Sequence, residues 1–216
     1  MKVVRHPSEL EARERPVAIG TFDGVHRGHR RVIETALAEG PATIVTFEPH
    51  PRLALGYGVE LLSTLERRLE LFAELGADET VVIEFTHELQ QLEPEDFAER
   101  VLRPLGASPV VAGEDFRFGH RRRGDLELLR SLGFEVEVVP LVDGISSTDI
   151  REHLREGRIE AFLLNFEGDL YGQRLVVELW SRLRDERAFE NEQELIDQIA
   201  RDVEKTRRAA RPSDLT

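Results

Sequence analysis

The chain has 216 residues, 40% of them hydrophobic, with 42 acidic against 29 basic side chains and a formal net charge of −13 at pH 7. That length supports one good core with an appendage, and the negative balance argues against general binding to nucleic acid. The absence of cysteine excludes disulfides, thiolate metal sites and thiol catalysis, and no apolar run reaches the ~18 residues that a membrane span requires.

Met1 to Pro7 carries no apolar signal core, so a cytoplasmic protein is expected. Val17 to Phe22 reads as the first strand, and Arg30 to Glu39 as the first helix, closed by Gly40. The Gly-rich turn between them leads into a helix N-terminus with His26 and His29 in or beside its first turn. Free backbone N–H groups and partial positive charge suit an anion such as a phosphate there. The imidazoles add donors, and Gly20, Gly24 and Gly28 let the backbone approach closely. Taken alone, the turn reads equally as an ordinary βα connection with two surface histidines.

Ala42 to Phe47 is a second buried strand, stopped by Glu48-Pro49-His50-Pro51, whose two prolines predict an extended loop. Phe47, Pro49, His50 and Pro51 suit a rigid edge for a flavin or adenine; the alternative is a stiffened connection. Ser63-Thr64-Leu65-Glu66 is a capping box, and the helix behind it places Leu65, Leu69, Phe72 and Leu75 on one face before Gly76. Thr80 to Phe85 is the third strand. Pro94 opens a helix over Glu95 to Leu102, with Phe97, Val101 and Leu105 as its apolar side.

Pro109 to Gly113 is the fourth strand, and Asp115, Phe116, Arg117 and Phe118 follow it. Rings beside charges suit stacking and phosphate positioning, or else two core phenylalanines with solvated charges. Arg117, His120, Arg121, Arg122 and Arg123 form a local basic cluster, open to either reading. Asp125 to Leu132 is a short helix ended by Gly133, and Phe134 to Val139 is the fifth strand. Ser146, Ser147 and Thr148 open a helix running to Glu156, a second candidate phosphate cradle. Arg151 lies one turn further in, either reaching back to an anion or standing at the surface.

Strands alternating with helices imply βαβ units, a parallel sheet and a Rossmann-like three-layer α/β domain. Ligands then sit beyond the C-terminal strand ends. After Gly157 the texture changes. Phe162 to Phe166 and Leu175 to Trp180 read as strands around a hairpin-like connection, and Asn191 to Arg208 as a helix. The expected division is a first domain over 1–157 and a tail over 158–216. The tail has too little apolar material to fold alone, so it should pack on the first domain or on a second copy of the chain.

The stretch Gly20 to His29 resembles the signature of the nucleotidylyltransferase superfamily. Its Gly-x-Phe-Asp-Gly element narrows the resemblance to bacterial FAD synthetases, the FMN adenylyltransferase half of the bifunctional riboflavin kinase/FAD synthetase. The segments Thr46 to Pro51, Gly113 to Gly119 and Ser146 to Arg151 are similar to that family's elements at the same places. The likeness runs from about Val17 to Gly157. It implies adenylyl transfer from ATP to FMN, giving FAD and pyrophosphate. His26, His29 and Arg151 would act on the phosphates. Gly20, Thr21, Phe22, Asp23, Gly28, Ser146, Ser147 and Thr148 would surround the nucleotide. Phe47, Pro49, His50, Pro51, Asp115, Phe116, Arg117 and Phe118 would surround the flavin. Mg²⁺ would bridge phosphates with few protein ligands. Asp23 would orient the turn or the metal shell, or simply cap the helix.

In the tail, Glu160 to Gly172 and Trp180 to Glu186 resemble the late part of a riboflavin kinase domain, with Glu160 where that family has its catalytic glutamate. The kinase's Gly-rich loop and Pro-Thr-Ala-Asn element have no counterpart between Gly157 and Glu160, so kinase activity is expected to be absent. Two rivals stand beside this reading: a flavin- or nucleotide-binding protein without turnover, and an adenylyltransferase for another phosphate. The Phe-rich motifs favour flavin, and the intact His and Ser-Ser-Thr-x-x-Arg motifs favour turnover.

Overall fold

β-branched runs bury both faces of a sheet well, and the four central strands of a six-stranded sheet do so here. The computed structural model describes residues 1–141, 146–155, 183–184, 189 and 191–209. The strands are β1 (Lys2–Val4), β2 (Arg15–Ile19), β3 (Thr43–Glu48), β4 (Glu79–Glu84), β5 (Ala107–Gly113) and β6 (Val136–Val139). They form one sheet in the order β1-β4-β3-β2-β5-β6, with every pairing parallel. From β2 the chain builds outward through β3 to β4, then returns to place β5 and β6 on the other side. The strand order therefore reverses between β2 and β5, where an open α/β sheet leaves a ligand crevice.

Alternate side chains feed two cores. Val17, Ile19, Val45, Phe47, Val110 and Ala112 join Phe97, Leu102, Phe118 and Leu129 on one face. Ala18, Ile44 and Val111 join Val32, Ile33, Leu71 and Phe72 on the other. The second face is covered by α1 (Arg27–Ala38) and α3 (Leu65–Glu74); the first by α5 (Pro94–Phe97), its wide-turned extension Ala98–Leu102, and α6 (Leu126–Ser131). The chain divides into two compact units, Met1–Arg158 and Ile159–Thr216. The first contains the sheet and α7 (Ser147–Arg155); the second contains α8 (Glu192–Arg207), capped by Asn191. No described helix is long and apolar enough to cross a membrane.

The architecture is the Rossmann-like α/β fold expected, with local differences. β2 stops at Ile19 because Phe22 and Val25 turn through positive φ, 51° and 38°. α1 begins at Arg27 rather than Arg30, since His26 itself caps it. The 48–51 segment is not an extended loop: β3 runs through Glu48, and Pro51 opens the short helix α2 (Pro51–Ala54), capped by His50. Proline at a first helical position loses no bond. The edge strand β1 and the helix α4 (His87–Gln91) were too short to show a period. The tail strands expected at 162–166 and 175–180, their connection and Glu160 lie outside the described residues.

Candidate nucleotide site

Two helix N-termini meet at the strand-order switch. The first belongs to α1. Phe22 does not face the crevice; it is 1% exposed and packs edge-on against Phe72 and His29, with centroids 5.6 and 5.4 Å away. The ring fills the space beside Gly20, where a Cβ would lie 3.0 Å from it. Gly24 holds φ +80°, and its Cβ would press on Leu62 at 3.0 Å. The turn is thus shaped by a buried plug and a close approach that a larger residue cannot share.

His26 and His29 stack with centroids 3.6 Å apart. The His26 Nδ1 accepts the His29 amide at 3.4 Å, capping α1. The His29 Nδ1 is buried with no hydrogen-bond partner. Burial pushes the His26 imidazole from 6.5 down to about 4, against the pull of Asp23 and Asp115. Burial, then the neighbouring His26 and Arg151, hold His29 well below the ordinary value. Both rings are neutral near pH 7, and leaving the buried His29 Nδ1 without a partner is costly.

Asp23 does not cap α1. Its carboxylate accepts from the Leu62 and Ser63 amides at 3.0 Å each, from the Ser63 hydroxyl at 3.2 Å, and from the Arg151 guanidinium. Ser63 in turn accepts the Gly24 amide at 2.7 Å. Asp23 therefore ties the turn to the 60–63 segment and to α7.

The second N-terminus belongs to α7. Ser147 donates to the Asp23 carbonyl at 2.9 Å, and Ser146 caps the helix by accepting the Asp149 amide at 3.1 Å. Arg151 is 7% exposed; its Nε donates to the Glu60 carbonyl at 2.7 Å while its other end pairs with Asp23. Arg151 is thus committed to holding α7 against the turn rather than standing at the surface. Thr148 is exposed on the first turn.

Beyond β3, Phe47 is buried and packs edge-on against Phe85. His50 is 4% exposed, and its Nδ1 accepts the Arg52 amide at 3.2 Å. Burial lowers its pKa, opposed by Asp23. Beyond β5, Phe118 is buried against Phe97, while Phe116 stacks on it at 5.7 Å and is partly exposed. Phe116 is the ring of this pair that can present a face to a ligand. Asp115 and Arg117 are exposed, and Arg117 donates to the Phe116 carbonyl at 2.8 Å. The basic cluster is partly spent on its own loop, with Arg123 paired to Glu93 and the His120 amide on the Leu92 carbonyl.

Among the described residues no group of three His, Asp or Glu side chains is placed to hold a metal ion, and the Asp23 oxygens already have the partners above. Sequence reasoning missed Arg68, 1% exposed beneath the crevice, and the Asp23 links to the 60–63 segment. The repeated Arg67-Arg68 reads as a polar helix face, and the Asp23 links depend on a segment 39 residues away.

A parallel sheet of this order, with two helix N-termini meeting at its switch point, defines a Rossmann-like nucleotide-binding domain of the nucleotidylyltransferase kind. Residues 8–152 match the FAD synthetase family, and residues 127–210 match the riboflavin kinase family. The chain belongs to the FAD synthetase family. It is 40% identical to a putative bifunctional riboflavin kinase/FMN adenylyltransferase of Geobacillus thermodenitrificans, over 67% of this chain and 84% of that one. It is 38% identical to the bifunctional riboflavin kinase/FMN adenylyltransferase of Listeria monocytogenes, over 67% of this chain, and the match spans about half (51%) of that relative's length. A crystal structure described as a macrolide-efflux protein from Streptococcus pneumoniae superposes with a TM-score of 0.64, covering 72% of this chain and 65% of that one. At 24% identity that likeness speaks to the fold alone.

Proposed function

We propose that the chain transfers the adenylyl group of ATP to FMN, releasing pyrophosphate and forming FAD. The observation that carries this reading is the meeting of the α1 and α7 N-termini at one point of the sheet, clasped by Ser147 on the Asp23 carbonyl and by the Asp23–Arg151 pair. The family match gives the site its chemistry. A phosphate oxygen of FMN attacks the α-phosphorus in line, the bond to the β-phosphate oxygen breaks, and the electron pair leaves with pyrophosphate. Such a reaction depends on positioning and on stabilising charge. His26 and His29 donate to the triphosphate from the α1 N-terminus, and the α7 N-terminus takes the leaving phosphates through its free amides. Arg151 acts by holding α7 in place. Asp115, Phe116 and the 48–51 loop border the flavin. Mg²⁺ would enter with ATP and would offset the charge of the phosphates. The substrates are those of the cytoplasm, and the tail is a candidate contact between two copies of the chain.

The test is to incubate pure, folded protein with ATP, Mg²⁺ and FMN and to follow FAD by chromatography. FAD and pyrophosphate in equal amounts are expected, and chelation of Mg²⁺ should abolish both. No FAD at saturating substrates would leave a binding protein.

A further inference from the structure

The β2–β3 ladder ends where the Gly20 amide donates to the Val45 carbonyl at 3.1 Å. From there the two chains part, one becoming the 20–26 turn and the other the 48–51 loop. The carbonyls of Thr21 and Phe47 lie past that last rung, one on each chain. Arg68 reaches in from α3. Its Nη1 donates to the Thr21 carbonyl at 2.9 Å, the Thr46 hydroxyl at 3.2 Å and the Phe47 carbonyl at 3.3 Å; its Nη2 donates to the Glu48 carboxylate at 2.5 Å. The Thr46 hydroxyl also donates to the Thr21 carbonyl, at 3.1 Å. Arg68 is 1% exposed, and its Nε is buried with no hydrogen-bond partner.

A guanidinium is expensive to bury and pairs here with one carboxylate that is itself a third exposed. Holding α3 to the sheet would need only an aliphatic side chain of similar volume. What an aliphatic chain cannot do is join two diverging loops through one rigid planar fork. Leaving Nε unbonded is the cost of aiming both terminal nitrogens at the strand ends.

We infer that Arg68 is a positioning residue for adenylyl transfer, fixing the separation between the turn that takes the triphosphate and the loop that borders the flavin. The inference rests on the FAD synthetase reading above. In-line attack needs the two substrates aligned, and a displacement of about 1 Å is enough to cost ~10²-fold in rate. Arg68 touches neither substrate, so its loss should fall on kcat and spare binding.

The experiment compares wild type with Arg68→Lys, which keeps the charge and loses the fork. The expected result is kcat down ~10²-fold, with KM for ATP and for FMN within about threefold, and faster amide exchange in both the 20–26 and 48–51 segments while α1 and β5 stay protected. A kcat within threefold of wild type, or exchange unchanged in both segments, overturns the inference. If Arg68→Lys does not fold, Thr46→Val takes its place: it keeps Arg68 and removes one shared hydroxyl. It should lower kcat about tenfold with KM unchanged, and an unchanged kcat overturns the inference. If wild type itself makes no FAD, the functional reading has failed. Exchange in the two segments then decides on its own whether Arg68 holds the loops together.

Discussion

His29 shows what a single residue contributes and how much of it the sequence discloses. The spacing of His26 and His29 at a helix start was legible, because a Gly-rich turn before an amphipathic helix leaves few other arrangements. Their stacking and shared neutrality were not legible, since both follow from burial. A preorganised donor aimed at developing charge is worth roughly 3–4 kcal/mol, or ~10²–10³ in rate. His29→Ala should therefore cut kcat by that factor while FMN affinity, measured by flavin fluorescence, changes little; an unchanged kcat would make His29 structural only. The same burial sets a pH dependence. Both histidines titrate lower in the folded chain than the ordinary 6.5, His26 at about 4. The unfolded chain therefore binds more protons across that window. The stability this represents is complete above pH 6.5 and is lost as pH falls toward 4. Thermal melting in steps from pH 7.5 to 4.5 should show the midpoint falling below 6.5, with a shallower fall in His29→Asn. On the proposed function bound ATP would place negative charge beside both rings, so nucleotide binding near pH 6 should take up protons, detectable by calorimetry in buffers of different ionisation enthalpy.

At the level of elements, every strand but β1 and most helices were legible because their apolar runs are long enough to read. Their ends were less so. Ser63-Thr64-Leu65-Glu66 looks like a capping box led by Ser63, yet Thr64 is the N-cap, its hydroxyl accepting the Arg67 amide at 3.3 Å. Ser63 is drawn away by Asp23 and Gly24, which lie far back in sequence. Two adjacent hydroxyls thus have separate roles. Thr64→Ala should lower stability by about 1 kcal/mol, as loss of an N-cap does, and leave kinetics unchanged. Ser63→Ala removes the acceptor of the Gly24 amide and loosens the phosphate turn. Its expected signature is KM for ATP raised several-fold at a comparable loss of stability. Denaturant unfolding and steady-state kinetics on the two variants separate these roles; equal kinetics would show that the turn does not need Ser63.

At the scale of the whole molecule, a parallel sheet was implied by βαβ logic and right-handed crossovers, but not its strand order, whose switch point falls where the polar motifs cluster. The tail was not legible in the same way: a few short apolar runs specify no core of their own. Its riboflavin kinase resemblance is nonetheless real, since the match over 127–210 includes it. That match begins inside the region shared with FAD synthetase, and the chain moves from Gly157 to Glu160 with no Gly-rich loop and no Pro-Thr-Ala-Asn element between them. A general base works only when its substrate is held within hydrogen-bond reach. Glu160 matches the catalytic position by sequence, and the expectation is that a chain lacking the segments that hold riboflavin and ATP would bring it no proton to take. Protein supplied with riboflavin, ATP and Mg²⁺ but no FMN should therefore form neither FMN nor FAD, while the same preparation converts added FMN to FAD. Chromatography of both reactions is the measurement, with Glu160→Gln as the control. Flavin phosphorylation above that control would show that the tail retains a working kinase site.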